Sequence, residues 1–239
     1  MKGEHSSKQY DLDLESIRSR VLLMGGMVET QFLDAMTCFR LTNEERAEQV
    51  MKADENVNHL EVTLDEACSN LIVKRQPAAN DLRTVMATIK VITDLERIGD
   101  EATKIARTAK ALVGRTGHPN LNHFNMVRAI ASNASAMLHN ALDAFARLDA
   151  EQAVKLIAHD AEIDHEFRTI MRNLITFMME DPRTISVALD TLWVAKSIER
   201  IGDHAKNIAE YVIYIVEGKD IRHTDYVAEK MASNKPDAT

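Results

Sequence analysis

Glycine and proline are scarce in this 239-residue chain, at 8 and 4 residues, where globular proteins carry roughly 7% and 5%. Turns are therefore few and elements long, which excludes a β-sandwich or barrel, since those need a turn signal every ten residues or so. Aromatic residues are only 5% of the chain, whereas Ala, Leu, Met, Glu, Lys and Arg are plentiful and favour helix. The expected class is all-α. Cysteine is nearly absent: Cys38 and Cys68 are the only two, which points to a reducing compartment rather than a disulfide framework. Basic charge is also short, 29 Lys and Arg against 37 Asp and Glu for a net charge of −8. An acidic chain repels phosphate backbones, so no nucleic-acid partner is expected. Long hydrophobic runs are missing too. The longest, Tyr211 to Val216, is far too short to span a bilayer, and Met1 to Tyr10 lacks the apolar core of a signal peptide. A soluble, cytoplasmic chain is expected, touching membrane only through partners.

What is present is organised by proline. Pro77 and Pro182 each sit between long helical patterns, Pro119 lies in the polar stretch from Gly114 to Asn122, and Pro236 is near the end. Proline cannot donate the helical hydrogen bond and restricts its predecessor, so these mark helix boundaries. The Gly114–Asn122 stretch divides the chain into halves that resemble one another. Asp54–His59 can be laid on Asp160–His165 at an offset of 106, Leu95–Asp100 on Ile198–Asp203 at 103, and Leu33–Ala35 on Leu142–Ala144 at 109. A period near 105 with small drifts indicates equivalent helices joined by loops of different length.

Each half reads as three helices: about Asp13–Leu41, Asp54–Lys74 and Asp81–Val113, then about Asn122–Leu148, Asp160–Met179 and Thr184–Glu217. Capping boxes, Thr42 with Glu45 and Asp149 with Gln152, mark fresh helical starts. Gly114 and Gly218 suit the position just past a helix end. The expected architecture is two tandem three-helix bundles related by internal pseudo-symmetry. Residues 1–113 make the first bundle, 114–121 a linker, 122–218 the second bundle and 219–239 a polar, frayed tail.

The third helix of each half carries an anomaly. Its apolar seam reads Leu82, Val85, Ile89, Ile92, Glu96, Gly99, Thr103, Ala106, and in the second copy Ile185, Ala188, Leu192, Ala195, Glu199, Gly202, Lys206, Ala209. A carboxylate interrupts the core stripe at the same place twice, with glycine three residues on despite its helix penalty of roughly 1 kcal/mol. Asp100 and Asp203 lie one turn beyond, on the same face. The second helix supplies Asp54 and Asn58 in one half and Asp160 and Asp164 in the other. In an antiparallel hairpin, residues equidistant from the turn share a level. Asn58 with Glu96, and Asp54 with Asp100, are centred on Pro77; Asp164 with Glu199, and Asp160 with Asp203, are centred on the Asp181–Pro182 turn.

Two bundles thus each bring four oxygen-bearing side chains to one level on facing helices. Hard cations want such ligands: iron, manganese, magnesium or calcium rather than a thiolate-seeking metal. Two other readings fit the same spacing: a salt-bridge network with Arg97 and Arg200 turning back on the acids, or an exposed acidic groove. Cys38 and Cys68 read as buried thiols. His59 and His165, beside the acid pairs, read as exposed helix histidines. Glu61 and Asp65 read as a solvated or salt-bridged pair, since Phe167 and Met171 stand opposite them in the second half. Lys74, Arg75 and Arg83 flank the first turn as a solvated basic patch. No phosphate-cradling glycine loop and no nucleophile elbow occurs, so no catalytic residue is expected.

The doubled Glu-Arg-Ile-Gly-Asp at Glu96–Asp100 and Glu199–Asp203 closely resembles the PhoU family of bacterial phosphate-uptake regulators. So do Met24–Glu29, Asp65–Cys68, Lys74–Pro77 and Met178–Asp181, and the similarity runs from about Asp13 to His223. The resemblance implies two pseudo-symmetric three-helix bundles, often in a homodimer. It also implies a cytoplasmic accessory role that restrains the phosphate ABC transporter, by way of its ATPase subunit, and links it to the phosphate-sensing histidine kinase, keeping the phosphate-starvation response off when phosphate is abundant. The family's acidic metal motif, two acids four residues apart, maps onto Glu96 with Asp100, Glu199 with Asp203, and Asp160 with Asp164. Asp54 with Asn58 departs from it by a neutral amide. Bound metal of variable identity, zinc included, is the cofactor implied. A carboxylate-bridged metalloenzyme is the runner-up; such bundles usually supply Glu-x-x-His ligands, whereas here each acid pair is spaced by four without a histidine three residues on. A mechanical spectrin-like repeat is the third reading.

Overall fold

The structure, a computed structural model, describes residues 2–41, 43–112 and 121–233. It contains α1 (Lys2–Leu41), α2 (Glu44–Arg75), α3 (Asn80–Leu112), α4 (Leu121–Arg147), α5 (Ala150–Glu180), α6 (Ile185–Glu217) and α7 (Tyr226–Ser233), with a 3-10 turn at Pro182–Thr184. Among the described residues there is no strand, and no helix is long and apolar enough to cross a membrane. Helices α1–α3 form one bundle and α4–α6 a second. The all-α, doubled architecture is the expected one.

Several boundaries differ from those expected. Helix α1 begins well before Asp13, and α2 and α5 run unbroken from Glu44 and Ala150 rather than from Asp54 and Asp160. The reason is visible in the core: Ala47, Val50, Ala153 and Leu156 are buried and extend the apolar seam across the expected break. The first cap is Asn43, not Thr42, which lies outside the described residues. Asn43 has extended backbone and accepts from Arg46 N at 2.9 Å. Asp149 caps α5 as expected, accepting from Gln152 N at 2.9 Å. Gly218 closes α6 at φ +73°, a left-handed conformation that glycine adopts without strain, and donates its N–H to Tyr214 O. Gly114 and Pro119 lie outside the described residues. The frayed tail is a correction. Residues 226–233 form α7, which packs on α5 with Tyr226 and Val227 against the core and is tied to the end of α6, where Glu217 accepts from both the Tyr226 hydroxyl and Lys230 Nζ.

The register of the repeat is also corrected. Helices α1 and α4 superpose at an offset of 106, not 109: at 106 the caps Asn43 and Asp149 coincide, and buried Met24, Val28, Phe32 and Phe39 fall on buried Ile130, Ala134, Leu138 and Phe145. At 109, Leu33 at 56% exposure would match Leu142 at 7%.

The bundles join back to back through α3 and α6, the most extensive helix pair in the molecule, with α1 against α4 beside it. The two third helices run antiparallel: moving along α3 from Asp94 to Glu101, the partners on α6 step back from His204 to Arg200. His204 Nδ1 lies 2.7 Å from Asp94 Oδ1 and Arg200 Nη1 2.7 Å from Glu101 Oε1.

Replacing the Asp149 cap by alanine is expected to cost about 1 kcal/mol of stability. Leu64→Ala, which empties a fully buried position on α2, should cost about 2–5 kcal/mol. Urea unfolding followed by circular dichroism reads both; a Leu64→Ala protein as stable as the parent would contradict this core.

Candidate metal centre

Glycine decides what can approach the middle of α3. A Cβ on Gly99 would lie 3.2 Å from both Asp54 Oδ1 on α2 and Gln31 Oε1 on α1. Without it, polar groups from two neighbouring helices reach the α3 backbone. Gln31 is only 4% exposed, and its Nε2 donates to Asp54 Oδ1 at 2.9 Å, to Thr103 Oγ1 at 3.1 Å and to Gly99 O at 3.4 Å. On α6, Gly202 makes the same space for an apolar group, since a Cβ there would meet Ile163 Cδ1 at 3.0 Å.

Around Gly99 the charge is of one sign. Half-buried Glu96 is pushed above the usual carboxylate range by burial, and then by the fields of Asp100, Glu61 and Asp54, with Arg97 opposing. Glu61 is raised by burial, then by Asp65 and Asp100; Asp65 is raised by burial. Asp65 Oδ1 and Gln31 Oε1 are buried without a hydrogen-bond partner. Among the described residues no Lys or Arg forms an ion pair with Asp54, Glu61, Asp65, Glu96 or Asp100.

The second cluster carries its own cations. Lys206 Nζ lies 2.6 Å from Asp160 Oδ2, Lys196 Nζ 2.5 Å from Glu199 Oε2, and Arg168 Nη2 3.5 Å from Asp164 Oδ2. Asp203 has no such partner and is pushed up to about 6, chiefly by burial and then by Glu199 and Asp160, with Lys196 opposing.

Seven of the eight residues expected at the two sites thus gather into two acidic clusters: Asp54, Glu96 and Asp100, and Asp160, Asp164, Glu199 and Asp203. Asn58 is exposed. Among the described residues, no three His, Cys, Asp or Glu side chains stand close enough to ligate one ion as they are placed. The facing carboxylates have to be drawn inward for that. The arginines do not serve as anticipated. Arg200 crosses to Glu101 in the other bundle and Arg97 is exposed, so in the second cluster lysines do the neutralising. His59 and His165 are exposed, and Cys38 and Cys68 are buried free thiols, with Cys68 pushed up to about 11 by burial. Arg75 and Arg83 are not a solvated patch: Arg75 pairs with Asp13 and Arg83 lies over the Tyr214 ring.

Three residues of the first cluster lie outside the expected ligand set, and Glu61 and Asp65 correct the expectation of a solvated or salt-bridged pair: both are half-buried, and neither forms an ion pair among the described residues. Glu61 falls on the α2 seam Ala47, Val50, Asp54, Val57, Glu61, Leu64, Cys68, Leu71, the same kind of interruption that made Glu96 conspicuous. Asp65 follows it by one turn. Gln31 breaks the α1 seam of Val21, Met24, Val28, Ala35 and Cys38 and is legible as a polar residue on an apolar stripe.

Comparison with known proteins bears on the chain as a whole. The family model described as the PhoU domain matches twice, at residues 21–109 and 127–212. The chain is 48% identical over 219 residues to the phosphate-specific transport system accessory protein PhoU homolog of Pseudomonas putida, covering 92% of this chain and 85% of that one. It is 47% identical to the phosphate-specific transport system accessory protein PhoU of Escherichia coli (strain K12), over 92% and 90% of the two chains. The crystal structure of PhoU from Pseudomonas aeruginosa superposes with a TM-score of 0.84 at 45% identity, covering 88% of this chain and all of that one.

Unfolding returns Asp203 from about 6 to the ordinary aspartate value of 3.8. The native state therefore binds this proton more tightly; the stability it contributes is complete below about pH 4 and lost as pH rises through about 6. Asp203→Asn should relieve the repulsion and stabilise the protein at pH 7 by about 1 kcal/mol, allowing for solvent screening at a half-exposed group. Urea melts at pH 4 and 7 with chelator present measure it; the same pH dependence in variant and parent would remove Asp203 as its source.

Proposed function

The chain belongs to the PhoU family, and from that premise we propose that it is a cytoplasmic regulatory adaptor of phosphate uptake. It is an accessory protein of the phosphate-specific transport type and not an enzyme. Its partners in this reading are the ATPase subunit of the phosphate ABC transporter and the phosphate-sensing histidine kinase, with a second copy of the chain in a homodimer. Restraint of the transporter and silence of the kinase when phosphate is abundant are the two outputs. The observation that carries the reading is coverage: both bundles match the family, over nearly all of each relative's length.

Metal belongs to this reading as a structural regulator. The ligands would be Asp54, Glu96 and Asp100 in the first bundle and Asp160, Asp164, Glu199 and Asp203 in the second. A hard cation supplies the positive charge that clustered carboxylates lack and ties two helices at one level. The chemistry of the donors fits such an ion best around Gly99, where a buried amide oxygen has no donor and the carboxylates have no ion pair. Drawing α2 and α3 together there would alter the hairpin surface that partners meet.

In bacteria lacking their own family member, expression of this chain should restore repression of a phosphate-starvation reporter in phosphate-rich medium. A tagged copy should co-purify the transporter's ATPase subunit. A reporter that stays on, with the chain present at normal abundance, would refute the adaptor reading. Normal repression by a Glu96→Gln, Asp100→Asn, Glu199→Gln, Asp203→Asn variant would detach metal from the regulation.

A further inference from the structure

We propose that the two repeats have divided their roles: the first takes one hard divalent cation, with Gln31 of α1 as an added oxygen ligand, and the second takes none because Lys206 and Lys196 occupy its charge. The chain then binds one ion rather than two. The inference rests on the metal reading above and narrows it: of the two ligand sets only the first is filled, with a ligand from a third helix, and the lysines are the reason the second stays closed.

The argument starts from two aspartates in equivalent places with unlike partners. Asp54 and Asp160 are each 8% exposed. Asp160 accepts an ammonium hydrogen from Lys206 at 2.6 Å; Asp54 accepts from the neutral amide of Gln31 at 2.9 Å. A buried carboxylate beside a neutral donor keeps a net charge that a buried site penalises, and a cation offsets it. Gln31 spends its NH2 on Asp54, Thr103 and Gly99, which leaves its carbonyl oxygen buried and unpartnered over the same point of α3 as Asp54 Oδ1. An orphan buried acceptor of this kind is costly, and a hard cation or the water it carries would relieve that cost.

Apart from Asn58, which stands where the second repeat has Asp164, the differences around the two clusters run in one direction. Gln31 corresponds to buried Met137, so the second bundle has no oxygen to offer at that position of its first helix. Thr103 corresponds to Lys206 and Thr93 to Lys196, so two neutral hydroxyls become two ammonium groups. Glu61 corresponds to Phe167, whose ring lies 5.3 Å from Lys196 Nζ, and Asp65 to Met171. The first repeat therefore gathers five carboxylates and an amide oxygen without an ion pair. The second gathers four carboxylates with two lysines and an arginine already on them. A divalent ion entering the second cluster has to displace Lys206 from 2.6 Å and then tolerate its charge nearby. In the first, half-buried Glu61 and Glu96 have long side chains that can swing onto the ion.

The test is titration of the metal-free, full-length chain with Mn2+, counted by isothermal calorimetry and by loss of the free-ion paramagnetic resonance signal, with thermal melts alongside. One ion per chain is expected, with a rise in melting temperature. Gln31→Met with Thr103→Lys, which writes the second repeat's residues into the first, should reduce binding at least tenfold while the apo protein still melts cooperatively. Should that core variant fail to fold, Glu96→Gln with Asp100→Asn on the half-exposed part of the cluster should abolish binding instead. Glu199→Gln with Asp203→Asn should leave the stoichiometry at one, and Lys196→Thr with Lys206→Thr should raise it to two. Two ions in the wild type, one lost with each acid pair, would overturn the division of roles while leaving the metal reading intact. No ion at all would overturn both. A single ion unaffected by changes at Gln31 and Thr103 would remove Gln31 as a ligand.

Discussion

Asp94 and Glu101 are buried at 3% and 2% exposure, where a polar side chain without a partner is costly, and the other bundle supplies partners for both. Asp94 meets His204 and Asn207, and Glu101 meets Arg200 as well as Lys104 of its own helix. Removing one partner from such a pair strands a buried charge, at a cost of about 3–5 kcal/mol. The pairs therefore do more than hold: they set which residues of α3 lie opposite which residues of α6. Once α3 and α6 are locked back to back, each has a fixed outer flank left for its own bundle. That flank carries Glu96 with Asp100 on one side of the molecule and Glu199 with Asp203 on the other.

Between the two repeats, shape is kept and charge is not. Core positions correspond along all three helices, the Asn43 and Asp149 caps coincide, and glycine interrupts the third helix at the same level in both, although the turns between the second and third helices differ. What each glycine admits differs. Gly99 lets in the oxygens of Gln31 and Asp54, whereas Gly202 lets in the methyl of Ile163. Because a helix seam tolerates an isolated polar side chain only with a partner, one polar residue at Gln31 calls for others at Asp54 and Thr103. One lysine at position 206 in turn suits the carboxylate of Asp160. The two clusters have diverged as sets of mutually dependent residues rather than residue by residue.

Helical periodicity and the turn prolines made the architecture legible, and reflection about Pro77 and Asp181–Pro182 brought most of the acids to their correct level. Local competition blurred the ends. Asn43 rather than Thr42 takes the cap because it is the residue whose extended backbone directs an oxygen at Arg46 N. The offset of 109 came from a three-residue identity, Leu-Asp-Ala, on opposite faces of two helices; burial corrects it. Glu61 was within reach, since it lies on the same alternating seam as Asp54, but its apolar counterpart Phe167 argued it away. Pairs such as Asp94 with His204, more than a hundred residues apart on different bundles, leave no periodic trace in a single sequence. Neither does the neutralising of Asp160 and Glu199 by lysines rather than by Arg200.

Unequal clusters have a mechanical consequence. A lysine on an aspartate is a permanent tie, made in the act of folding and insensitive to the metal supply. A cation on carboxylates is a tie that depends on concentration, stabilising the bound form by RT ln(1 + [M]/Kd). In the division proposed above, the α5–α6 hairpin is fixed by Lys206 and Lys196, while the α2–α3 hairpin tightens only when the ion is present. The α3–α6 junction, built from Asp94 and Glu101 pairs that metal does not enter, then makes the second bundle the reference against which the first one moves. In the adaptor role proposed above, holding one partner while responding toward another would use this asymmetry. Two identical metal sites would tighten both hairpins together and leave neither surface constant.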